Sequence, residues 1–200
     1  MKRLVVFASG SGSNFQAIID SIVNGTVSAT CAGLICDREG IGAIDRALQF
    51  GVPVHVIRRR DFDDHDNYAL ALTATLLALK PDLIILAGYL NKIPSMVVEN
   101  WRGRIINIHP ALLPKFGGKG FFGIRVHEAV IESGDIESGC TVHFVDEVYD
   151  NGDIIAQSRV PVMPNDTPDS LQKRVLAQEH ILLPSVIETL LNQSDTHGRP

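Results

Sequence analysis

Five short apolar runs, each followed by a stretch with helical spacing, constrain this chain more than any other feature. Residues 4–8 carry no charge, as a strand covered on both faces requires. After a glycine-serine turn, residues 15–23 put Phe15, Ile18, Ile19 and Ile22 on one helical face. The alternation recurs: strand 29–36, helix 41–50 with Gly51 placed to end it, strand 52–57, helix 66–79, a break at Lys80-Pro81-Asp82, strand 83–87, short helix 95–101, strand 104–108. A further helix is expected over 125–133. Residues 139–147 alternate, with Cys140, Val142 and Phe144 on one side and Thr141, His143 and Val145 on the other. Residues 153–162 follow a turn at Asp150-Asn151-Gly152, so these two runs predict an antiparallel pair. A closing helix is expected over 169–191, capped by Thr167 or Asp169, with Pro168 near its start and Pro184 inside it. Residues 192–200 read as a polar tail. The fold class is therefore α/β: a doubly wound, mostly parallel sheet with a C-terminal antiparallel strand pair.

Two hundred residues suit one domain over 1–200, able to bury roughly 70% of its unfolded surface without a disulfide or metal. A net charge of −5 argues against nucleic acid or an anionic membrane as partner. Three cysteines, Cys31, Cys36 and Cys140, lack metal-site or disulfide-framework spacing and read as reduced thiols of a cytoplasmic protein. The apolar run behind the N-terminus is too short for a signal peptide, and no stretch approaches the ~18 apolar residues of a membrane span.

In a doubly wound sheet, ligands bind beyond the carboxyl ends of the strands. Residues 9–14 and 107–120 lie there. In the first, Gly10, Gly12 and Ser13 allow backbone N–H groups to approach an anion at the start of a helix. The dinucleotide fingerprint would need a third glycine where Phe15 stands, although Asp37 after strand two could mimic its ribose-binding acid. A single phosphate on a small metabolite fits better; an ordinary strand–helix turn is the alternative.

In the second stretch, Asn107 and His109 are two apart on a strand and so face the same side of the sheet. Pro110 stops the ladder directly after them. An amide N–H₂ and an imidazolium N–H converging from one edge form a donor pair for a developing oxyanion; a strand-end histidine bonded to a nearby carbonyl is the alternative. A carboxylate beside His109 would raise its pKa and keep it cationic near neutral pH. Asp146, Glu147, Asp150 and Asp153 all lie in the next such loop, and spacing does not choose among them.

The order and spacing of "VVFASGSGSNFQAIID", "LAGYL", "GRIINIHPALLPKF", "HFVDEVYDNGDIIAQ" and "RVLAQEH" resemble the phosphoribosylglycinamide formyltransferases, folate-dependent enzymes of purine synthesis. The resemblance implies a formyltransferase-like fold and formyl transfer from 10-formyltetrahydrofolate, as co-substrate and without a metal, to the amine of 5′-phosphoribosylglycinamide. It gives Asn107, His109 and Asp150 as the catalytic trio. It assigns the substrate phosphate to Gly12, Ser13 and Asn14, and places Glu179 near the glycinamide amine. It lines the folate pocket with Leu90, Asn91, Lys92 and Ile93, beside Asn107, and puts His65 near the folate tail. A monomer or homodimer and a cis Leu113–Pro114 bond are expected, with the loop after His109 closing over substrate.

This chain departs from the family pattern in places. The family often reads Met-Arg-Ile-Leu at Leu90–Ile93 and arginine at His65. Arg58, Arg59 and Arg60 lie close by, as partners for an anionic glutamyl tail or as a solvated surface run. The loop after His109 is longer than in many members and carries Arg125 and His127 where histidines often sit. Three rival readings follow from the residues: a hydrolase that deformylates the folate with the same trio, an NAD-dependent oxidoreductase, and a non-catalytic nucleotide-sensing module.

Overall fold

The computed structural model describes residues 1–196. Seven strands form one sheet in the order β3-β2-β1-β4-β5-β6-β7: β1 (Lys2–Ala8), β2 (Ala29–Cys36), β3 (Val54–Val56), β4 (Leu83–Leu86), β5 (Ile105–His109), β6 (Glu137–Phe144) and β7 (Ile154–Pro161). The first five are parallel to one another; β6 is antiparallel to both β5 and β7.

The helices are α1 (Ser13–Val23), α2 (Gly42–Gln49), α3 (His65–Leu79), α4 (Ser95–Asn100), α5 (Ile124–Ser133) and α6 (Pro168–Thr196). Alternation along β1 shows why the chain needs helices on both faces of the sheet. Leu4, Val6 and Ala8 pack with Phe15 and Ile18 of α1 and Val175 and Leu183 of α6. Val5 and Phe7 pack on the other face with Tyr68, Leu72 and Leu76 of α3 and Val97 and Val98 of α4.

Several boundaries differ from expectation. β3 shrinks to three residues at the sheet edge, where one side lacks a ladder partner. A 3₁₀ turn, Arg59–Asp61, follows it. α6 runs on through Thr196, past the expected end at residue 191, and continues through Pro184. Of the expected polar tail, 192–196 is therefore helical, and the remainder lies outside the described residues. The Leu113–Pro114 bond is cis.

The strand order reverses its direction of travel between β1 and β4, a switch point of the kind at which α/β sheets bind ligands. The two loops there are tied together. The Ser9 N–H donates to the Gly88 carbonyl (3.1 Å) and the Leu90 N–H to Ser9 Oγ (3.0 Å).

Candidate active site

A cavity of about 430 Å³ opens at this switch point, reached by the loops after β1, β4 and β5 and by α6. Asn107 and His109 enter it from the last residues of β5, because residues two apart on a strand share a face. Asp150 arrives from the loop between β6 and β7. That loop folds back tightly: a Cβ at Gly152 would lie 1.9 Å from the Phe144 carbonyl oxygen, so only glycine fits. Asp150 itself holds φ +53°.

The trio converges. Asp150 Oδ2 lies 3.6 Å from His109 Nδ1, and Oδ1 lies 3.4 Å from Asn107 Nδ2. The Gly118 N–H donates to Oδ2 at 2.8 Å, which ties the glycine-rich loop to the acid. The other acids of this loop are elsewhere. Asp146 caps it by accepting from the Val148 N–H and Asn151 Nδ2, and Glu147 pairs with Arg102 on the surface.

The protonation of His109 differs from expectation. Burial pushes its pKa below the ordinary value, outweighing the upward pull of Asp150 and the Phe116 carbonyl. The reasons are visible. The ring is 4% exposed, the carboxylate stands beyond hydrogen-bond length, and that carboxylate is already shared with the Gly118 N–H. His109 Nε2 is 2.8 Å from the Phe116 carbonyl oxygen. A carbonyl only accepts, so Nε2 carries the proton. Nε2 is therefore an N–H donor, and burial works against the cation that the sequence suggests. For Asp150, burial alone would raise the carboxyl; the His143 and His109 rings and the Gly118 N–H outweigh it and hold it low.

At the other end of the cavity, α1 begins at Ser13 with Gly12 as its N-cap in the left-handed region (φ 75°). Ser13 and Asn14 line the cavity, and its wall includes Glu179 of α6. Gly12 is buried behind them. A Cβ there would meet Ala43 Cα at 2.6 Å, so its open face receives α2. Asn14 Nδ2 donates to Glu179 Oε2 at 2.6 Å, while Asn14 Oδ1 is buried without a partner. Burial raises the Glu179 carboxyl against that hydrogen bond. One cavity therefore holds an anion-ready helix start, a buried carboxyl and a donor pair.

Residues 2–187 match the family model described as formyl transferase. The chain belongs to the formyl transferase family. It is 44% identical to the chloroplastic phosphoribosylglycinamide formyltransferase of Arabidopsis thaliana across 96% of its own length, and spans 66% of that protein. The phosphoribosylglycinamide formyltransferase of Escherichia coli (strain K12) is 36% identical, with 92% of this chain and 85% of that protein covered. Among solved structures, the phosphoribosylglycinamide formyltransferase from Bacillus halodurans superposes with a TM-score of 0.91 at 34% identity, covering 98% of each chain. The first curated relatives are longer: this chain spans two thirds or less of their length.

In this member of the formyl transferase family, the other expected site residues divide into two groups. Leu90 lines the main cavity; Asn91, Lys92 and Ile93 line a narrow adjoining slot that also touches Asn107, Tyr149 and Asp150. His65 stands apart. It is exposed at the start of α3, against Tyr68, and lines neither space. Arg58, Arg59 and Arg60 form a shelf beside Asn91, with Arg58 engaged by Asp61 and Glu39. Arg125 stacks over Phe122 at 5.0 Å. His127 is 1% exposed and lines the cavity with Nδ1 unpartnered; burial, helped by His109, lowers its pKa to about 4.

Two groups at the site had no sequence signal. The Phe116 carbonyl reaches His109 because Phe116 adopts φ +55°, which nothing in its side chain announces. His143 reaches Asn107 because the register of β5 against β6 sets them opposite each other. Alternation gave its face but not its partner. Among the described residues, no cluster of three or more His, Cys, Asp or Glu is arranged to hold a metal ion, and no helix is long and apolar enough to cross a membrane.

Proposed function

We propose that this protein transfers the formyl group of 10-formyltetrahydrofolate to the glycinamide amine of 5′-phosphoribosylglycinamide, a one-carbon step of de novo purine biosynthesis; relatives carry the names phosphoribosylglycinamide formyltransferase and trifunctional purine biosynthetic protein. The observation that carries this reading is the sharing of one cavity by the Asn107–His109–Asp150 cluster and the Ser13–Asn14 helix start. In this reading residues 1–200 act as one formyltransferase domain. The enzyme is cytoplasmic, a monomer or homodimer, and works on small molecules without a nucleic-acid or membrane partner.

The chemistry follows from the donors. Backbone N–H groups at Gly12, Ser13 and Asn14 take the 5′-phosphate at the start of α1. Glu179, beside Asn14, orients the glycinamide amine. The folate enters along Leu90–Ile93 and reaches Asn107. The neutral amine attacks the formyl carbon, and the carbonyl electrons move to oxygen. Asn107 and the His109 Nε2–H meet that oxyanion. To do so, the His109 N–H must leave the Phe116 carbonyl, so loop and substrate compete for one proton. Asp150 stabilises the imidazolium that forms if His109 gains a second proton. A proton then passes from the new ammonium to the folate nitrogen, the carbon–nitrogen bond breaks, and the carbonyl reforms. The balance is closed without a metal or a redox partner.

The test is to mix the protein with 10-formyltetrahydrofolate and add glycinamide ribonucleotide, following tetrahydrofolate. Release should require the amine. Equal release without it would make the protein a hydrolase.

A further inference from the structure

We infer that His143 is a positioning residue of the transfer reaction: it holds the Asn107 amide with its N–H₂, rather than its carbonyl, toward the reacting oxygen. The inference rests on the function proposed above. It concerns a residue that lines the adjoining slot but not the main cavity.

The argument is a count of donors and acceptors. His143 Nδ1 lies 2.8 Å from the Phe144 carbonyl oxygen. A carbonyl only accepts, so Nδ1 carries a proton. In the neutral ring, Nε2 then has a lone pair and must accept. The atom opposite it is Asn107 Nδ2, at 3.1 Å.

The amide's two ends cannot be told apart by shape, so their order must come from neighbours. Asp150 supplies the second vote. Its Oδ1 is 3.4 Å from the same end of the amide. If the amide were reversed, its oxygen would sit between a lone pair and a carboxylate. With Nδ2 there, one N–H goes to His143. The other points toward Asp150 Oδ1 at 3.4 Å, a weak bond that a formyl oxygen seated in its path replaces. At 3.6 Å the His143–Asp150 approach is itself no hydrogen bond.

The fold builds this contact deliberately into the sheet. Asn107 and His143 are directly opposed in the antiparallel β5–β6 ladder, where side chains on one face meet. A break in the β6–β7 register falls between Val142 and His143, and such irregularities re-aim side chains. His143 is 2% exposed; it lines the adjoining slot but not the main cavity, which it meets through Asn107. A purely space-filling histidine would not need Nδ1 pinned by a carbonyl and Nε2 aimed at an amide.

Two measurements test this. Nitrogen-15 NMR of the histidine rings, on the wild-type protein without substrate, reads the tautomer directly. The Nδ1–H form of His143 is expected; an Nε2–H or doubly protonated ring overturns the inference whatever reaction the enzyme performs. Kinetics then compare His143→Leu, which cannot accept, with His143→Gln, which can. His143→Leu should lower kcat by about 10- to 100-fold, below the ~10²–10³ of deleting an oxyanion donor outright, with both KM values within about 3-fold. His143→Gln should recover most of that loss. In an Asn107→Ala background, His143→Leu should cost nothing further, because the two act as a unit. A His143→Leu enzyme as fast as wild type, a Gln variant no better than Leu, or losses that multiply in the double variant would each overturn it. Far-UV circular dichroism checks folding; if the Leu variant is unfolded, the Gln variant and the tautomer decide. Inactive wild-type enzyme would instead overturn the proposed function and leave the tautomer result standing.

Discussion

His109 Nδ1 faces Asp150 Oδ2 across 3.6 Å, a gap longer than a hydrogen bond between a buried ring and a largely buried carboxylate. In the resting protein the far nitrogen carries a proton toward the Phe116 carbonyl, and burial disfavours a second one. A second proton at Nδ1 would turn the gap into an ion pair. The acid is therefore placed to reward charge on His109 when it forms rather than to maintain it beforehand.

This arrangement predicts kinetic loss without loss of binding. His109→Ala removes an oxyanion donor and should lower kcat by about 10²–10³. Asp150→Asn should fall in the same range. The double variant should be little worse than either single, because Asp150 works largely through His109. Steady-state kinetics of the three variants check this, and losses that multiply would separate the two residues.

The direction of the His109 titration is a second prediction. In the wild-type protein it should titrate below its ordinary value of 6.5. Asp150 pulls it upward, so Asp150→Asn should push it lower still. Proton NMR of the ring across pH measures both. A rise in the variant would show that the carboxylate does not act as a charge partner.

At the phosphate end, binding and folding can be pulled apart. An acid in the first turn of α1 favours the helix by about 0.3–1 kcal/mol. The same charge would repel a phosphate held there. Ser13→Asp should thus keep or raise thermal stability while raising KM for the glycinamide substrate at least 10-fold, with KM for the folate unchanged. Equal damage to both substrates would move the phosphate elsewhere.

His127 gives a pH signature in stability. Its folded pKa, about 4, lies below the ordinary 6.5. Below pH 6.5 the unfolded chain takes up a proton that the folded chain refuses, so stability falls as pH drops and levels off near pH 4. His127→Leu also removes the unpartnered Nδ1. Urea unfolding at pH 7.5 and 4.5 should show a smaller pH-dependent loss for the variant than for wild type.

Much of this fold is legible in the sequence because strands covered on both faces write uninterrupted apolar runs. Leu4–Ala8 and Leu83–Leu86 are examples, and their order with the helices sets the sheet class. Asn107 and His109 are legible because a proline ends their strand. What fails to show is whatever depends on pairing or burial depth. Four acids near residue 150 look alike by spacing; the resemblance points to Asp150, and the backfolded loop is what brings it to His109. The strand register that brings His143 to Asn107 is a tertiary fact. The sequence shows a carboxylate that could raise His109, but not the desolvation that outweighs it.

The central claim is that the formyl carbon goes to an amine and not to water. The measurement is carbon-13 NMR of a reaction containing 10-[¹³C]formyltetrahydrofolate and glycinamide ribonucleotide. The label should appear in the formamide of the glycinamide product, and should do so at least about 10²-fold more slowly with His109→Ala. Label appearing as free formate, at the same rate with or without the amine, would contradict the account.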